Sequence, residues 1–251
     1  MIQKELLGLY YKLKNRVSLT LATRLRSKHH CLLCHTLTTK RICQSCQTQF
    51  LHSPIHRCTC CGIPLTHNAL FCGDCLQHTP CFDRTFSPFI YQTPLSDLII
   101  RFKEKHDFFA GKALSDVFTK QIQDHYVQQH IPLPDLIVAV PQHWKKQWAR
   151  GFNPAAFFAD TISRQLSIPI FTDVKRTKAV AEQKNLSRHA RIKNLQRGFT
   201  ITSQLQGENV AIIDDVMTTG STANALAQAL KKAGAKQVTI WALARTPKDH
   251  S

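Results

Sequence analysis

Long apolar runs are missing from this 251-residue chain. Nothing approaches the roughly 18 consecutive apolar residues of a spanning helix, and clean stretches such as Leu136–Pro141 are strand-sized. That excludes a helical membrane protein. The opening stretch, MIQKELLGLYYKLKNR, mixes charge with its apolar residues and carries no small-residue cleavage site, so a secretory signal is not expected. The expected location is the cytoplasm, with a peripheral position at the inner face of the membrane as a further option. Glycine is scarce, nine in all, and none of them sits in a G-x-x-x-x-G-K-[ST] loop, which argues against a P-loop ATPase. Acidic residues are few, 16 against 33 Lys and Arg, for a net charge of +17. Cysteine is absent from the 170 residues after Cys81 and from everything before Cys31.

What is present is concentrated. Residues 1–30 hold seven basic residues and one acidic, and residues 142–197 hold twelve and three, so these two stretches carry 15 of the 17 excess charges. Clustering of this kind suits a polyanion such as nucleic acid, or a phosphorylated small molecule; a merely soluble basic surface is the plainer reading. Residues 2–27 have the period of an amphipathic helix, with Leu6, Tyr10, Leu13, Val17, Leu21 and Leu25 at steps of three and four. Such a helix packs on the body of a protein or offers a basic face to DNA or an anionic membrane surface.

The ten cysteines form four Cys-x-x-Cys pairs, Cys31/Cys34, Cys43/Cys46, Cys58/Cys61 and Cys72/Cys75, with Cys60 and Cys81 left over. Two thiolates two residues apart can grip one metal ion from a single tight turn, and two such knuckles complete a tetrahedral zinc site. Four pairs imply two zinc ions. Sequential pairing, first with second and third with fourth, keeps the loops local, while an interleaved cross-brace is the other arrangement. Four thiolates leave no open coordination position, so the role expected of the zinc is structural. His29, His30, His35, His52 and His56 lie close enough to substitute, but eight paired cysteines suffice.

After residue 82 the pattern changes to alternating strands and helices. Phe86–Gln92 reads as a strand, Pro94–Lys105 and Ala110–Gln129 as helices, and Leu136–Val140 (LIVAV) as a strand buried on both faces. A helix over Pro154–Leu166, a strand near Ile168–Phe171, a strand at Val210–Ile213, a helix over Ser221–Ala233 and a strand over Gln237–Leu243 follow. This alternation predicts an α/β fold with a parallel sheet between helices.

The chemistry concentrates in Val210–Thr222, VAIIDDVMTTGST. A buried strand ends in two carboxylates and runs through a hydroxyl-rich, glycine-containing loop into a helix. In an open α/β sheet, ligands bind at the carboxyl ends of strands. Thr218, Thr219, Gly220, Ser221 and Thr222 offer backbone N–H groups and hydroxyls to a phosphate at a helix N-terminus. Asp214 and Asp215 would repel that phosphate but accept hydrogen bonds from sugar hydroxyls, so the pattern asks for a phosphate with a diol beside it. A Walker B strand and a purely structural strand–turn–helix with an acidic cap are the competing readings. The first needs the P-loop that is missing, and the second leaves adjacent carboxylates without a purpose.

These thirteen residues resemble the signature of type I phosphoribosyltransferases, which bind 5-phosphoribosyl-1-pyrophosphate (PRPP). More narrowly, the chain resembles the ComF/GntX proteins associated with DNA uptake during natural competence. The cysteine-rich N-terminal region, Val140-Pro141 after a central strand, the tetrad Arg150-Gly151-Phe152-Asn153 and the run Gln183, Leu186, Ser187, Arg191, Asn194, Phe199 carry the likeness. It spans nearly everything from Cys31 to Pro247, departing at Val180, where relatives often carry Thr. Beside the basic amphipathic helix over 1–28 that the apolar period predicts, the resemblance implies a double zinc ribbon over 29–82 and a parallel-sheet type I phosphoribosyltransferase-like domain over 83–251.

It also implies a site. The two acids, Asp214 and Asp215, would hold the ribose hydroxyls and act as the candidate catalytic pair, and Thr218–Thr222 would hold the 5′-phosphate. Val140, Pro141 and Lys103 would face the pyrophosphate, which usually comes with Mg²⁺. Lys175, Arg176, Lys178, Lys184 and Arg188 fit a basic loop closing over that group. Lys145, Lys146, Trp148, Arg150, Phe152, Arg188 and Arg191, with Trp144, mix charge and aromatic rings as a single-stranded DNA path does. Two functions stay open on the sequence. One is a DNA-uptake protein that binds single-stranded DNA and PRPP and meets uptake machinery such as a helicase or a membrane channel. The other is a phosphoribosyltransferase of nucleotide salvage with no DNA role.

Overall fold

The computed structural model describes residues 28–51, 53–54, 56–176 and 198–248, with Lys145 described by its backbone alone. The helix expected over 2–27, His52, and the loop residues Lys178, Lys184, Arg188 and Arg191 lie outside the described residues. Two compact units divide at residues 49 and 50.

In the first unit, β1 (His29–His30) pairs antiparallel with β2 (Leu37–Thr38), and helix α1 (Gln44–Phe50) begins behind them. The Cys31 N–H donates to the Thr36 carbonyl at 2.9 Å, closing the reverse turn that carries Cys31 and Cys34. His30 Nδ1 and the His35 carbonyl lie 2.7 Å apart, which ties two of the candidate histidines together.

The second unit opens with another knuckle, Cys58–Cys61, and the short helix α2 (Gly73–Gln77) that follows Cys72. A parallel sheet then forms from β3 (Arg84–Phe86), β4 (Phe89–Ile90), β5 (Leu136–Ala139), β8 (Asn209–Met217) and β9 (Gln237–Arg245). Its order is β3-β9-β8-β5, with β4 also on β9. Between these strands lie α3 (Leu95–Lys105), α4 (Phe108–Gln128), α5 (Trp144–Arg150) and α6 (Pro154–Leu166), then the hairpin of β6 (Val174–Arg176) and β7 (Phe199–Ile201) and finally α7 (Ser221–Lys232).

Both central strands are covered on both faces, as continuous apolar runs require. Val210, Ile212, Val238, Ile240 and Ala242 share a core with Leu226 and Leu230 of α7 and with Cys58, Cys60, Cys61, Cys72 and Phe82 of the knuckle region. Ala211, Ile213, Trp241 and Leu243, at the alternate positions, are fully buried as well. Trp241 donates from Nε1 to the Tyr126 hydroxyl at 3.1 Å.

Two expected strands are shorter than the sequence pattern. Phe86–Gln92 is broken into β3 and β4 at Ser87-Pro88, because proline has no N–H for a ladder. Ile168–Phe171 contributes a single parallel bridge, Ile137 to Ile170, for a related reason: Pro169 can only accept, from Ile137 at 3.0 Å, while Phe171 donates back to Ile137 at 2.8 Å. In the other direction, β8 runs on past Ile213 to Met217, so the two aspartates are held by the sheet rather than by a loop.

Gly111, in the first turns of α4, marks how closely α3 and α4 approach. A Cβ there would stand 2.5 Å from the Phe102 ring, which is fully buried among Phe108, Phe152, Phe157 and Phe158. Gly111→Ala is therefore expected to lower stability by about 1–3 kcal/mol through overpacking. Urea denaturation checks it; an unchanged midpoint would show that α3 and α4 can move apart at no cost.

Candidate functional site

Parallel register brings the ends of β5 and β8 side by side. Ala139 lies opposite Ile213, and the Val140 N–H donates to the Ile213 carbonyl at 3.0 Å, which places Val140-Pro141 next to Asp214. The tetrad Arg150-Gly151-Phe152-Asn153 secures the same end. Asn153 donates from Nδ2 to the Val140 carbonyl at 2.9 Å and accepts from the Ala155 N–H at 3.0 Å, capping α6. Above these strand ends opens a cleft of about 430 Å³ that includes Asp214, Asp215, Lys103, Lys146, Arg150 and Arg176 in its lining.

The electrostatics of that cleft are paired. Lys103 Nζ lies 2.9 Å from the Asp215 carboxylate, and Arg150 lies 2.5 Å from Glu104. Asp215 accepts from the Val216 N–H at 2.6 Å, and Asp214 accepts from the Asp215 N–H at 2.9 Å. Asp214 keeps some surface toward the cleft, yet it is deep enough that burial dominates. Desolvation, followed by the neighbouring Asp215 charge, pushes its carboxyl up to about 8, against the weaker pull of the Asp215 N–H and Lys103.

The loop after β8 has the shape expected of an anion cradle. Gly220 has φ of 75°, in the left-handed region, and it immediately precedes α7. Thr218 and Thr219 are exposed, and Thr219 Oγ1 accepts from the Ser221 N–H at 3.3 Å and lies 3.0 Å from the Ser221 hydroxyl. Thr222 reaches the cleft lining together with Val140 and Pro141.

Of the basic and aromatic residues singled out from sequence, the structure brings only some together. Lys146 and Arg150, on α5, line the cleft, and Arg176 donates to the Pro141 carbonyl at 3.3 Å. Trp148, on the same helix, is 89% exposed, and Trp144 is exposed beside His143 at a second depression that also includes Lys175 and Arg176. Phe152 faces inward, with its ring 5.0 Å from Phe102 and 5.2 Å from Phe108. Sequence reading missed Glu104 and His106 as lining residues. It also missed Arg245, whose signal was a lone cation ending the apolar strand QVTIWALAR.

The cysteines gather in sequential pairs. Cys31, Cys34, Cys43 and Cys46 form one cluster and Cys58, Cys61, Cys72 and Cys75 the other, with all sulfurs of a cluster within 4.8 Å of one another. Cys34 and Cys43 are 3.6 Å apart, as are Cys61 and Cys72. A tetrahedral ion with metal–sulfur bonds of about 2.3 Å needs sulfurs about 3.8 Å apart, so either cluster could hold a metal ion. The local charges suit one. Burial, with the neighbouring Cys58 and Cys72, pushes the Cys61 thiol up to about 11, a penalty a bound cation removes. In the first cluster, the Thr36 hydroxyl and N–H pull Cys34 down to about 6. Cys60 and Cys81 stay outside both groups. Among the described residues no helix is long and apolar enough to cross a membrane.

Residues 153–251 match a family model described as a phosphoribosyl transferase domain. Competence protein F of Haemophilus influenzae is 35% identical over 208 residues, covering 81% of this chain and 90% of that protein. DNA utilization protein YhgH of Escherichia coli K12 is 38% identical over 190 residues, 75% of this chain and 84% of that one. Competence protein ComFC of Bacillus subtilis is 24% identical over 216 residues, 82% and 85% of the two chains. Among solved structures, the purine phosphoribosyltransferase of Pyrococcus horikoshii aligns over 53% of this chain and 72% of its own at 22% identity, with a TM-score of 0.34. Identity of this level across four-fifths of the length places the chain in the ComF family of competence proteins.

Proposed function

We propose that this protein serves DNA uptake by binding single-stranded DNA, with PRPP or a related phosphoribosyl compound held in the cleft above β5 and β8. The observation that carries the reading is the convergence of three features in one cleft: the acid pair Asp214–Asp215, Thr222 from the hydroxyl loop that opens α7, and the cations Lys103, Lys146, Arg150 and Arg176. In this reading the loop binds the 5′-phosphate through its N–H groups. The acids accept the ribose hydroxyls, and the cations meet the pyrophosphate with Mg²⁺. Lys103 would exchange Asp215 for that pyrophosphate. The two cysteine clusters hold zinc as structural ions. The names of the relatives, competence and DNA utilization proteins, support the DNA role. Single-stranded DNA runs past α5, where Trp148 offers a bare ring beside Lys146 and Arg150, and it connects the protein to a helicase or channel of the uptake machinery.

Anisotropy of labelled single-stranded DNA, with and without PRPP and Mg²⁺, tests this. Wild-type protein should bind below micromolar with a steep salt dependence, and PRPP should shift the curve. Asp214→Asn with Asp215→Asn should remove the shift and keep the binding. Trp148→Ala should weaken DNA binding by about 1–3 kcal/mol without lowering the melting temperature, because the ring is so exposed. Absence of DNA binding at moderate salt, with transfer of the phosphoribosyl group to a free base and release of pyrophosphate, would replace this reading by the salvage enzyme.

A further inference from the structure

Arg245 ends β9 and is only 5% exposed. Its described partners are four backbone carbonyls, drawn from three separate stretches of chain. Nε donates to the Cys61 carbonyl at 3.0 Å, within the second cysteine knuckle. Nη1 donates to the carbonyls of Met217, at 2.9 Å, and Thr218, where the hydroxyl loop begins. Nη1 also reaches the Thr246 carbonyl at 3.0 Å, and the Thr246 N–H returns to the Met217 carbonyl at 3.1 Å. One buried guanidinium thus pins a metal-binding turn to the loop that would hold a phosphate.

A second tie runs in parallel. Asn224, in the first turn of α7, accepts from the Cys81 N–H at 2.6 Å through its side chain. Packing fills the space between the two ties. Cys58, Cys60, Cys61 and Cys72 share one apolar core with Met217 and Ala223, the residues that flank the hydroxyl loop on either side. Thr218–Gly220 therefore rests on the knuckle as well as on the sheet. Buried hydrogen bonds to a charged group are stronger than neutral ones, and they act only while both ends are held in place. A knuckle that loses its metal loses the conformation of the Cys61 carbonyl, and Arg245 then loses an anchor.

Resting on the phosphoribosyl reading above, we infer that Arg245 is a positioning residue that couples the metal at Cys58, Cys61, Cys72 and Cys75 to the anion cradle at Thr218–Thr222. Metal and phosphoribosyl ligand then bind cooperatively although neither touches the other. The coupling is reciprocal by thermodynamic necessity: each raises the affinity of the other by the same factor, about 5- to 100-fold for a connection of this kind.

The test uses the full chain carrying Cys34→Ser and Cys43→Ser, so that the second cluster alone reports. Zinc affinity is measured by chelator competition, with and without saturating ribose 5-phosphate, whose binding is followed separately by calorimetry. Zinc should bind about 5- to 100-fold tighter with the sugar phosphate present. Arg245→Met should bring that factor close to one, and Arg245→Lys should restore part of it, which a merely structural role would not predict. Calorimetric binding of ribose 5-phosphate with no change in zinc affinity would overturn the coupling and leave the phosphoribosyl reading standing. Absence of any binding of ribose 5-phosphate or PRPP would remove that reading, and the inference with it. If Arg245→Met fails to fold, Arg245→Lys carries the comparison, and a factor as large as that of wild type would overturn the role of Arg245.

Discussion

Cys61→Ser is expected to lower the melting temperature of the sheet-bearing unit by about 10–20 °C while leaving it folded at room temperature, and Cys34→Ser to leave that melting temperature within a few degrees of wild type. Both changes remove one sulfur from a four-cysteine cluster, so ligand chemistry alone predicts equal effects. The difference lies in where each cluster sits. Cys31, Cys34, Cys43 and Cys46 lie in the compact unit that ends at residue 49. Cys58, Cys61 and Cys72 are buried in the same core as Ile212, Val238, Ile240 and Leu226. Structural zinc contributes about 10–16 kcal/mol in small modules, against a net stability of about 5–15 kcal/mol for a typical domain. The sheet supplies a large core of its own, so losing the metal from beside it removes a large part of the margin and not all of it. Circular dichroism melts with zinc analysis on both variants give the answer. Equal losses would mean that the two units fold as one; a wild-type melt for Cys61→Ser would mean that the second cluster takes no metal.

That asymmetry was not visible in the sequence, and the reason is physical. Cysteine spacing reports local geometry, since two thiolates two residues apart must share a turn; the four pairs were legible from it, and of the two pairings left open the structure shows the sequential one. Spacing says nothing about what the outside of a knuckle packs on. Ile63 and Phe82 bind the second knuckle to a sheet whose last strand begins at Gln237, and no pattern within residues 58–82 announces that. The strand–loop–helix of Val210–Thr222 was legible for the opposite reason: buried strand, acids, hydroxyl loop and helix follow one another directly in the chain. Helix α5 was missed because seven residues, Trp144–Arg150, are too few to show a period. The β6–β7 hairpin was missed because Arg176 and Phe199 pair across a long intervening segment. Phe152 looked like a base-stacking ring because it stands beside Arg150, but its direction is set by Phe102 on α3, far away in sequence. The cleft itself is assembled by such distant pairings, Lys103 with Asp215 above all.

Affinity for PRPP with Mg²⁺ is expected to rise as pH increases from 6.5 toward 8 and to level off above it. The group responsible is Asp214, whose carboxyl burial and the Asp215 charge push up to about 8. In the empty cleft it holds a proton through most of the neutral range. A ligand that brings a divalent cation to the ribose favours the carboxylate, so below pH 8 the proton must leave first, at about 1.4 kcal/mol or tenfold in affinity per pH unit. Asp214→Asn should bind weakly and show no such slope; the ligand's own phosphate ionisation, near pH 6, is common to both proteins and cancels in the comparison. The same proton has a consequence for folding, with a definite sign. An acid whose folded pKa lies above its unfolded value, about 4, destabilises the fold as pH climbs between the two, and the penalty is complete above the folded value. Asp214→Asn should therefore match wild type near pH 4 and exceed it at pH 8, by about 2 kcal/mol once the partial exposure of Asp214 is allowed for. Calorimetry across pH gives the first slope and urea midpoints give the second. A variant that binds less but folds better would identify Asp214 as a carboxylate kept for its ligand at a cost to stability. A flat stability difference from pH 4 to 8 would place the proton on another group and detach the binding slope from the acid pair.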